Sequence, residues 1–570
     1  MTRIRTNTAT TQGIVVGTAY VVRHPEPEGE PHVADSATDA LSERTRFERA
    51  LARAAEQLGE LIGRSDVFSA HLAIAEDPML RESVETKIEE GMTAERAVES
   101  SCAEISGMME QLEDEYLRER ATDVRDVCTR IRQALRGTEA ANPFANLGPE
   151  AIVVADELTP SDTAMMDFSR IVGFVTRGGS TTSHVCIIAR NQCVLAMVGV
   201  GDDIARIETG DRLILDGIRG EILIDPDPAT EEHYRRRARE IETERLRLMD
   251  FGRLRAVTTD GRPVAVFANV ANTDEVRTAI DAGADGIGLY RSEFLYMLHP
   301  DDYPDEQTQF EAYRAAAELC GERSLIIRTL DIGGDKALPY MHAPREENPF
   351  LGWRAVRISL SMPELFEAQI RALLRASAYG NVKIMFPMIT SLDEFRRARE
   401  VVERCKAALG REGIAFNPAI ETGIMVETPA AVLTADLLAA EADFFSIGTN
   451  DLTQYVMAAD RTNPRVSHLY DTFNLSVLRS IRSVIDAGAE AGREVGMCGE
   501  FASDPLGTRL LLGLGLQEFS VNIGVIGSIK ACILRQSYAA CREFAARVLE
   551  AATEERIHAL IAEEDREGTE

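Results

Sequence analysis

Lysine is nearly missing from this chain: in 570 residues it occurs at Lys87, Lys336, Lys383, Lys406 and Lys530, and arginine carries the rest of the positive charge. Positive charge is itself the minority, with 62 Lys and Arg against 93 Asp and Glu and a net charge of −31. That balance excludes nucleic-acid binding through a broad basic surface. It favours a small basic protein as a long-range partner instead. No C-x-x-C pair occurs among the nine cysteines, whose odd number and scatter argue for reduced thiols rather than a disulfide framework. No apolar run approaches the roughly 18 residues of a membrane span, and the opening "MTRIRTNTATTQGIVVG" lacks the apolar core of a signal peptide. A cytoplasmic protein is expected. No glycine-rich nucleotide loop is visible.

What is present is an ordinary globular composition, 45% hydrophobic and 27% charged, at a length that calls for two to four domains. "GIVVGTAYVV" (13–22) reads as a strand, and residues 38–137 then follow a helical spacing, clearest in "DEYLRERATDVRDVCTRIRQAL" (114–135). Strand-like runs return at 151–158, 171–176, 196–200, 212–216 and 221–225. The early strand has no neighbours of its own, so it is expected to join that later sheet and make the helical block an insertion. A charged helix over 230–256 reads as a linker. After residue 260, eight β-type runs alternate with helical ones: 264–270, 286–291, 325–331, 382–388, 423–428, 444–451, 494–500 and 518–524. A (β/α)8 barrel fits this alternation, with a doubly wound open sheet as the alternative. The fold class is therefore α/β multidomain. A divided domain over 1–37 and 138–229 carries the helical insertion 38–137, followed by a linker at 230–258 and a barrel at 259–570.

A barrel gathers its chemistry at the C-terminal ends of its strands. Those ends are Arg291, Arg328, Glu427, Asn450 with Asp451, Cys498 and Asn522. Arginine forks suit phosphate, and a pair of carboxylates suits Mg²⁺. Each also has a plainer reading: a salt-bridge arginine, a helix-capping Asn450 or Asp451, a helix start at "ETP" (427–429), a buried structural thiol at Cys498. In the other domain, "GGSTTSHVCIIAR" (178–190) sets His184 behind four hydroxyl residues where an apolar helical run begins.

The blocks "GLYRSEFLYM" (288–297), "IIRTLDIGGDKALPYM" (326–341), "EENPFLGWRAVRI" (346–358), "ETGIMVETPAA" (421–431), "DFFSIGTNDLTQY" (443–455) and "GMCGE" (496–500) occur in order. Together they resemble the enzyme I family of the bacterial phosphoenolpyruvate:sugar phosphotransferase system, and the likeness extends over essentially the whole chain. The resemblance implies that phosphoenolpyruvate (PEP) and Mg²⁺ bind in the barrel. It further implies that the phosphoryl group passes to His184 on a swivelling domain and then to the histidine phosphocarrier HPr, with release of pyruvate. On matching positions, Arg291 and Arg328 hold the phosphate, assisted by Arg461 and, in the same shell, Arg354. Arg354 is equally readable as a structural ion pair. Glu427 and Asp451 ligate the metal, Asn450 positions the phosphate, and Cys498 protonates the enolate. Thr182 orients His184, whose ring would sit at a helix N-terminus suited to an anion. The helical insertion docks HPr through "FSAHLAIAEDPML" (68–80) and "ATDVRDV" (121–127), and the barrel forms a homodimer.

The chain departs from the family pattern at Ser180, where a glycine is usual, at Leu195, where proline is usual, and in "VNIGVIGSIK" (521–530). Two relatives compete. Pyruvate phosphate dikinase and PEP synthase carry an ATP-grasp domain, for which no residues are expected to remain. A regulatory nitrogen-branch phosphotransferase would add an N-terminal sensory domain, which is not expected here.

Overall fold

The computed structural model describes residues 2–6, 9, 13–22, 40–61, 67–110, 115–137, 144–145, 147–159, 162–163, 165–178, 186, 189, 194–297, 299, 302–334, 338, 340–341, 346–463 and 465–567. The chain divides into two compact units, 1–243 and 244–570.

The first unit is built on seven strands: β1 (Thr2–Arg5), β2 (Ile14–Val22), β3 (Ala151–Ala155), β4 (Ile171–Thr176), β5 (Leu195–Met197), β6 (Arg212–Asp216) and β7 (Glu221–Ile224). Their order in the sheet is β1-β7-β6-β2-β3-β4-β5. β2 runs antiparallel to β6 and parallel to β3. The early strand therefore does join the later sheet, and the segment between β2 and β3 is an excursion from it. β1 was not foreseen, because "TRIR" offers one apolar residue; Ile4 is nonetheless buried where β1 pairs with β7.

The excursion holds helices α1 (Ala40–Leu61), α2 (Val67–Ala75), α3 (Pro78–Glu89), α4 (Ala94–Glu110) and α5 (Glu115–Arg136). Val124, Val127, Cys128 and Ile131 recur at helical spacing on α5 and are buried with Phe47, Leu58, Val84 and Val98 of the other helices. Asp77 caps α3 by accepting from the Met79 amide, with Pro78 at the first helical position. Inside this bundle His71 is fully enclosed, its Nε2 3.1 Å from Asp123 and its Nδ1 3.5 Å from Asp126. Both acids lie in the stretch 121–127 expected to face a partner, and they are engaged inward with His71. Leu195 opens β5, at the edge of the sheet, and is buried. A first strand residue at an edge is where proline is tolerated, so the departure there exchanges one admissible residue for another. Ser180, Thr182, Ser183 and His184 lie outside the described residues.

Helix α6 (Pro228–Gly252) spans most of the expected linker as one continuous element. Asp227 starts it, accepting from the Ala229 and Thr230 amides.

The second unit is a closed barrel of eight parallel strands: β8 (Ala265–Val270), β9 (Ile287–Arg291), β10 (Leu325–Arg328), β11 (Val382–Phe386), β12 (Thr422–Val426), β13 (Phe444–Ile447), β14 (Glu494–Met497) and β15 (Glu518–Asn522). The five-residue pairing of β15 with β8 closes the ring and rules out the open sheet. Leu289, Ile326, Met385, Met425, Phe444 and Cys498 pack together as one buried cluster. Neighbouring strand residues such as Phe386 contact the helices, edge-on to Phe366 and Phe395 at ring separations of 6.2 and 6.1 Å.

Candidate active site

Each strand of a parallel barrel delivers its last residues to one rim. Arg291 and Arg328 end β9 and β10 as register partners. The Arg328 side chain is 7% exposed and bridges two acids, with Nη2 2.5 Å from Glu293 and Nη1 2.8 Å from Asp331. The other Asp331 oxygen lies 3.1 Å from Nη2 of Arg354, and Nη1 of Arg354 reaches Asp451 at 3.2 Å and the Tyr455 hydroxyl at 3.2 Å. Glu293, Arg328, Asp331, Arg354 and Asp451 thus form a chain of alternating charge, every member buried. Alternation is what makes the burial tolerable, since an unpaired ion here would carry a desolvation penalty of several kcal/mol. The neighbouring acids hold both guanidinium groups firmly charged.

Glu427 sits against this chain and does not share its balance. Burial, with Asp451 and Asp331 nearby, pushes its carboxyl up to about 8. Its Oε1 accepts from the Met388 amide at 2.6 Å. The helix start at "ETP" uses other atoms: Thr428 is the cap, accepting from the Ala431 amide, and Pro429 is the first helical residue. Glu427 is therefore free of capping duty. The same holds for Asn450 and Asp451, which lie inside the first turn of helix Thr449–Met457, behind a Gly448 that makes no side-chain cap. Asn450 Oδ1 accepts from the Glu500 amide at 2.9 Å, and its carbonyl accepts from the Tyr470 hydroxyl at 3.1 Å. Arg461 lies beside the Tyr470 phenol, and its own amide donates to Gln454. Asn522, at the end of β15, is exposed.

Cys498 follows β14 and is 4% exposed within the apolar cluster. Burial pushes its thiol up to about 11, so at neutral pH it carries its proton. Gly499 next to it is required by contact: a Cβ there would lie 2.5 Å from the Thr449 amide nitrogen. That approach seats the helix carrying Asn450 and Asp451 directly against the end of β14.

The structure thus brings Arg328, Glu427, Asp451 and Cys498 to one end of the barrel and ties Arg354 into the same network. Glu293, Asp331 and Tyr455 belong to it and were not singled out from sequence. The available signal was position: Glu293 and Asp331 follow the strand-ending arginines by two and three residues inside the same motifs. As a cation site, Glu427 and Asp451 offer two hard carboxylate donors whose mutual repulsion a divalent ion would relieve. Among the described residues no cluster of three or more His, Cys, Asp or Glu is placed to hold a metal. Two carboxylates, with substrate oxygens and water completing the shell, is the donor set Mg²⁺ favours.

Closed parallel strands with a buried arginine and carboxylate network at their C-terminal rim define a (β/α)8 enzyme for an anionic substrate. Comparison with known proteins makes this specific. The PEP-binding domain of PEP-utilising enzymes matches residues 245–538, their N-terminal domain residues 7–120, and their mobile domain residues 147–220. The phosphoenolpyruvate-protein phosphotransferase of Bacillus sp. (strain S) is 42% identical over 95% of this chain and 94% of its own. That of Listeria monocytogenes is 42% identical over 97% of this chain and 98% of its own. A solution structure of Enzyme I (nEIt) is 33% identical, covering 42% of this chain and 99% of its own, with a TM-score of 0.35. The chain belongs to the PEP-utilising enzymes, in the family of phosphoenolpyruvate-protein phosphotransferases.

Proposed function

We propose that this enzyme transfers the phosphoryl group of PEP to its own His184 and then to the histidine phosphocarrier HPr, releasing pyruvate as the first step of sugar uptake. The observation that carries the reading is the rim of the barrel. There a doubly held arginine, a strained pair of carboxylates and a protonated thiol stand at the ends of consecutive or near-consecutive strands. Arg328 retains an Nε–H with no hydrogen-bond partner among the described residues, a buried donor available to a phosphate oxygen. Arg291 beside it and Arg461 across the rim would complete the clamp, with Asn450 fixing the phosphate through its amide. Arg354, already tied to Asp331 and Asp451, would hold those acids in place and add positive charge nearby.

In the transfer, the bond from phosphorus to the enol oxygen breaks as one forms to an imidazole nitrogen of His184. The neutral ring is the nucleophile, with Thr182 setting its tautomer. Charge develops on the enolate oxygen, and fixed guanidinium groups stabilise it without reorganising. A divalent Mg²⁺ held by Glu427 and Asp451 would supply further charge neutralisation when bound. Cys498 then gives its proton to the enolate carbon, yielding pyruvate, and is reprotonated from solvent. His184 and the PEP site belong to different units of one chain, so the histidine-bearing domain has to swing between donor and carrier. The α1–α5 insertion would receive HPr. A homodimer through the barrel belongs to the same reading, and Leu433 and Leu437, 83% and 54% exposed, are side chains such a contact would cover. A cytoplasmic location belongs to the same reading; no helix among the described residues is long and apolar enough to cross a membrane.

Incubation with ³²P-labelled PEP and Mg²⁺, without ATP, tests the reading. An acid-labile phosphoprotein should form, pass its label to HPr, and fail to form in His184→Ala. Label that survives in that variant, or that requires ATP, overturns it.

A further inference from the structure

At the opposite end of the barrel, where the strands begin, lies a cavity of about 840 Å³ that phosphotransfer does not use. Four arginines and Lys530 line it against two acids, Asp285 and Glu494. A surplus of positive charge in one cavity is unexpected in a protein of net charge −31.

The groups there divide into those already spent and those left over. Lys530 is 1% exposed and donates to the carbonyls of Gly252, Leu254 and Gly283 and to Asp285, at 2.7 to 3.1 Å. It thereby quenches Asp285 and the carbonyl end of α6, both of which would otherwise repel an anion. Arg262 donates to the Gly515 carbonyl and lies 3.9 Å over the Tyr538 ring. The guanidinium groups of Arg253, Arg255 and Arg323 are exposed and have no carboxylate, carbonyl or aromatic partner among the described residues. The frame behind the three free arginines is rigid. A Cβ on Gly283 would fall 2.0 Å from the Gly252 carbonyl, and one on Gly527 2.0 Å from that of Leu248, so the end of α6 is locked onto the barrel.

We propose that this cavity is a second anion site, taking a small compound that carries more than one phosphoryl charge. Its volume admits more than a single ion, and three unpaired guanidinium forks match phosphoryl oxygens in pairs. More than one phosphoryl group fits because each can take its own guanidinium fork, so that several charge-assisted pairs form at once. The occupant would link Arg253 and Arg255, just past α6, to Arg323 at the foot of β10.

Titration calorimetry of the full-length protein with inorganic pyrophosphate tests this, with Arg291→Gln removing binding at the catalytic rim. Pyrophosphate should still bind Arg291→Gln protein. Adding Arg255→Gln and Arg323→Gln should weaken that binding at least tenfold with the melting temperature unchanged. The double variant alone should keep its phosphorylation by PEP. Absence of binding in Arg291→Gln, or binding indifferent to the two bottom substitutions, overturns the site. Citrate bound as tightly as pyrophosphate overturns its phosphoryl preference.

Discussion

Without bound metal, Cys498 and Glu427 are both neutral at pH 7, for the same reason and with different consequences. The thiol is buried among apolar side chains and stands at about 11, against 9.0 for an ordinary cysteine. A raised thiol stabilises the fold fully below pH 9, and that contribution disappears as the pH climbs from 9 toward 11. Within that window the thiol remains a competent acid. Cys498→Ala should therefore still form phosphohistidine while pyruvate appears about 10²-fold more slowly or worse, measured by following label and pyruvate together. In the native enzyme the alkaline limb of pyruvate release should lie above pH 9. Glu427, at about 8, binds a proton at neutral pH that a metal must displace. Mg²⁺ affinity should rise as pH is taken from 6 to 8 and level off beyond. Calorimetry at pH 7 in two buffers of different ionisation enthalpy should register proton release, which Glu427→Gln abolishes. A pH-independent affinity would contradict the burial argument.

At the scale of elements, the short helix Thr449–Met457 is what joins the two halves of the rim. Its first turn carries Asn450 and Asp451, and its seat is the bare Cα of Gly499. Gly499→Ala would drive a methyl group into the Thr449 backbone. A loss of about 1–3 kcal/mol is expected for such overpacking, read as a lower melting temperature. The displaced helix should raise KM for PEP more than it lowers kcat, because it misplaces binding groups and leaves Cys498 where it is. The helix also shows where the sequence was legible and where it was not. Alternation of β and helical runs placed the eight strands, and strand ends located Arg291, Arg328, Glu427, Asp451 and Cys498. Spacing could suggest that Asp331 meets Arg328 three residues before it, but not that its other oxygen holds Arg354 further along the segment after β10, nor that Arg354 reaches Asp451 beyond β13, a contact made only when the barrel closes. Nor could it show β1, whose single apolar residue is buried by a partner more than two hundred positions away.

For the whole molecule the governing quantity is charge. Acidic residues outnumber basic ones by half again, yet the barrel rim and its opposite end each concentrate arginine. The two substrates of the proposed cycle therefore meet different fields. PEP enters a site whose fixed, mostly buried charges are little screened by salt. On that reading a basic phosphocarrier would approach a protein of net charge −31 from a distance, where attraction fades as the screening length falls from about 10 Å at 0.1 M salt to about 3 Å at 1 M. Docking should thus be the salt-sensitive step. Stopped-flow transfer from phosphorylated enzyme to HPr should slow by an order of magnitude or more across that range through its association rate. Autophosphorylation by PEP should change only a few-fold. Equal sensitivity of both steps would mean that carrier recognition rests on apolar contact and owes nothing to the net charge of −31.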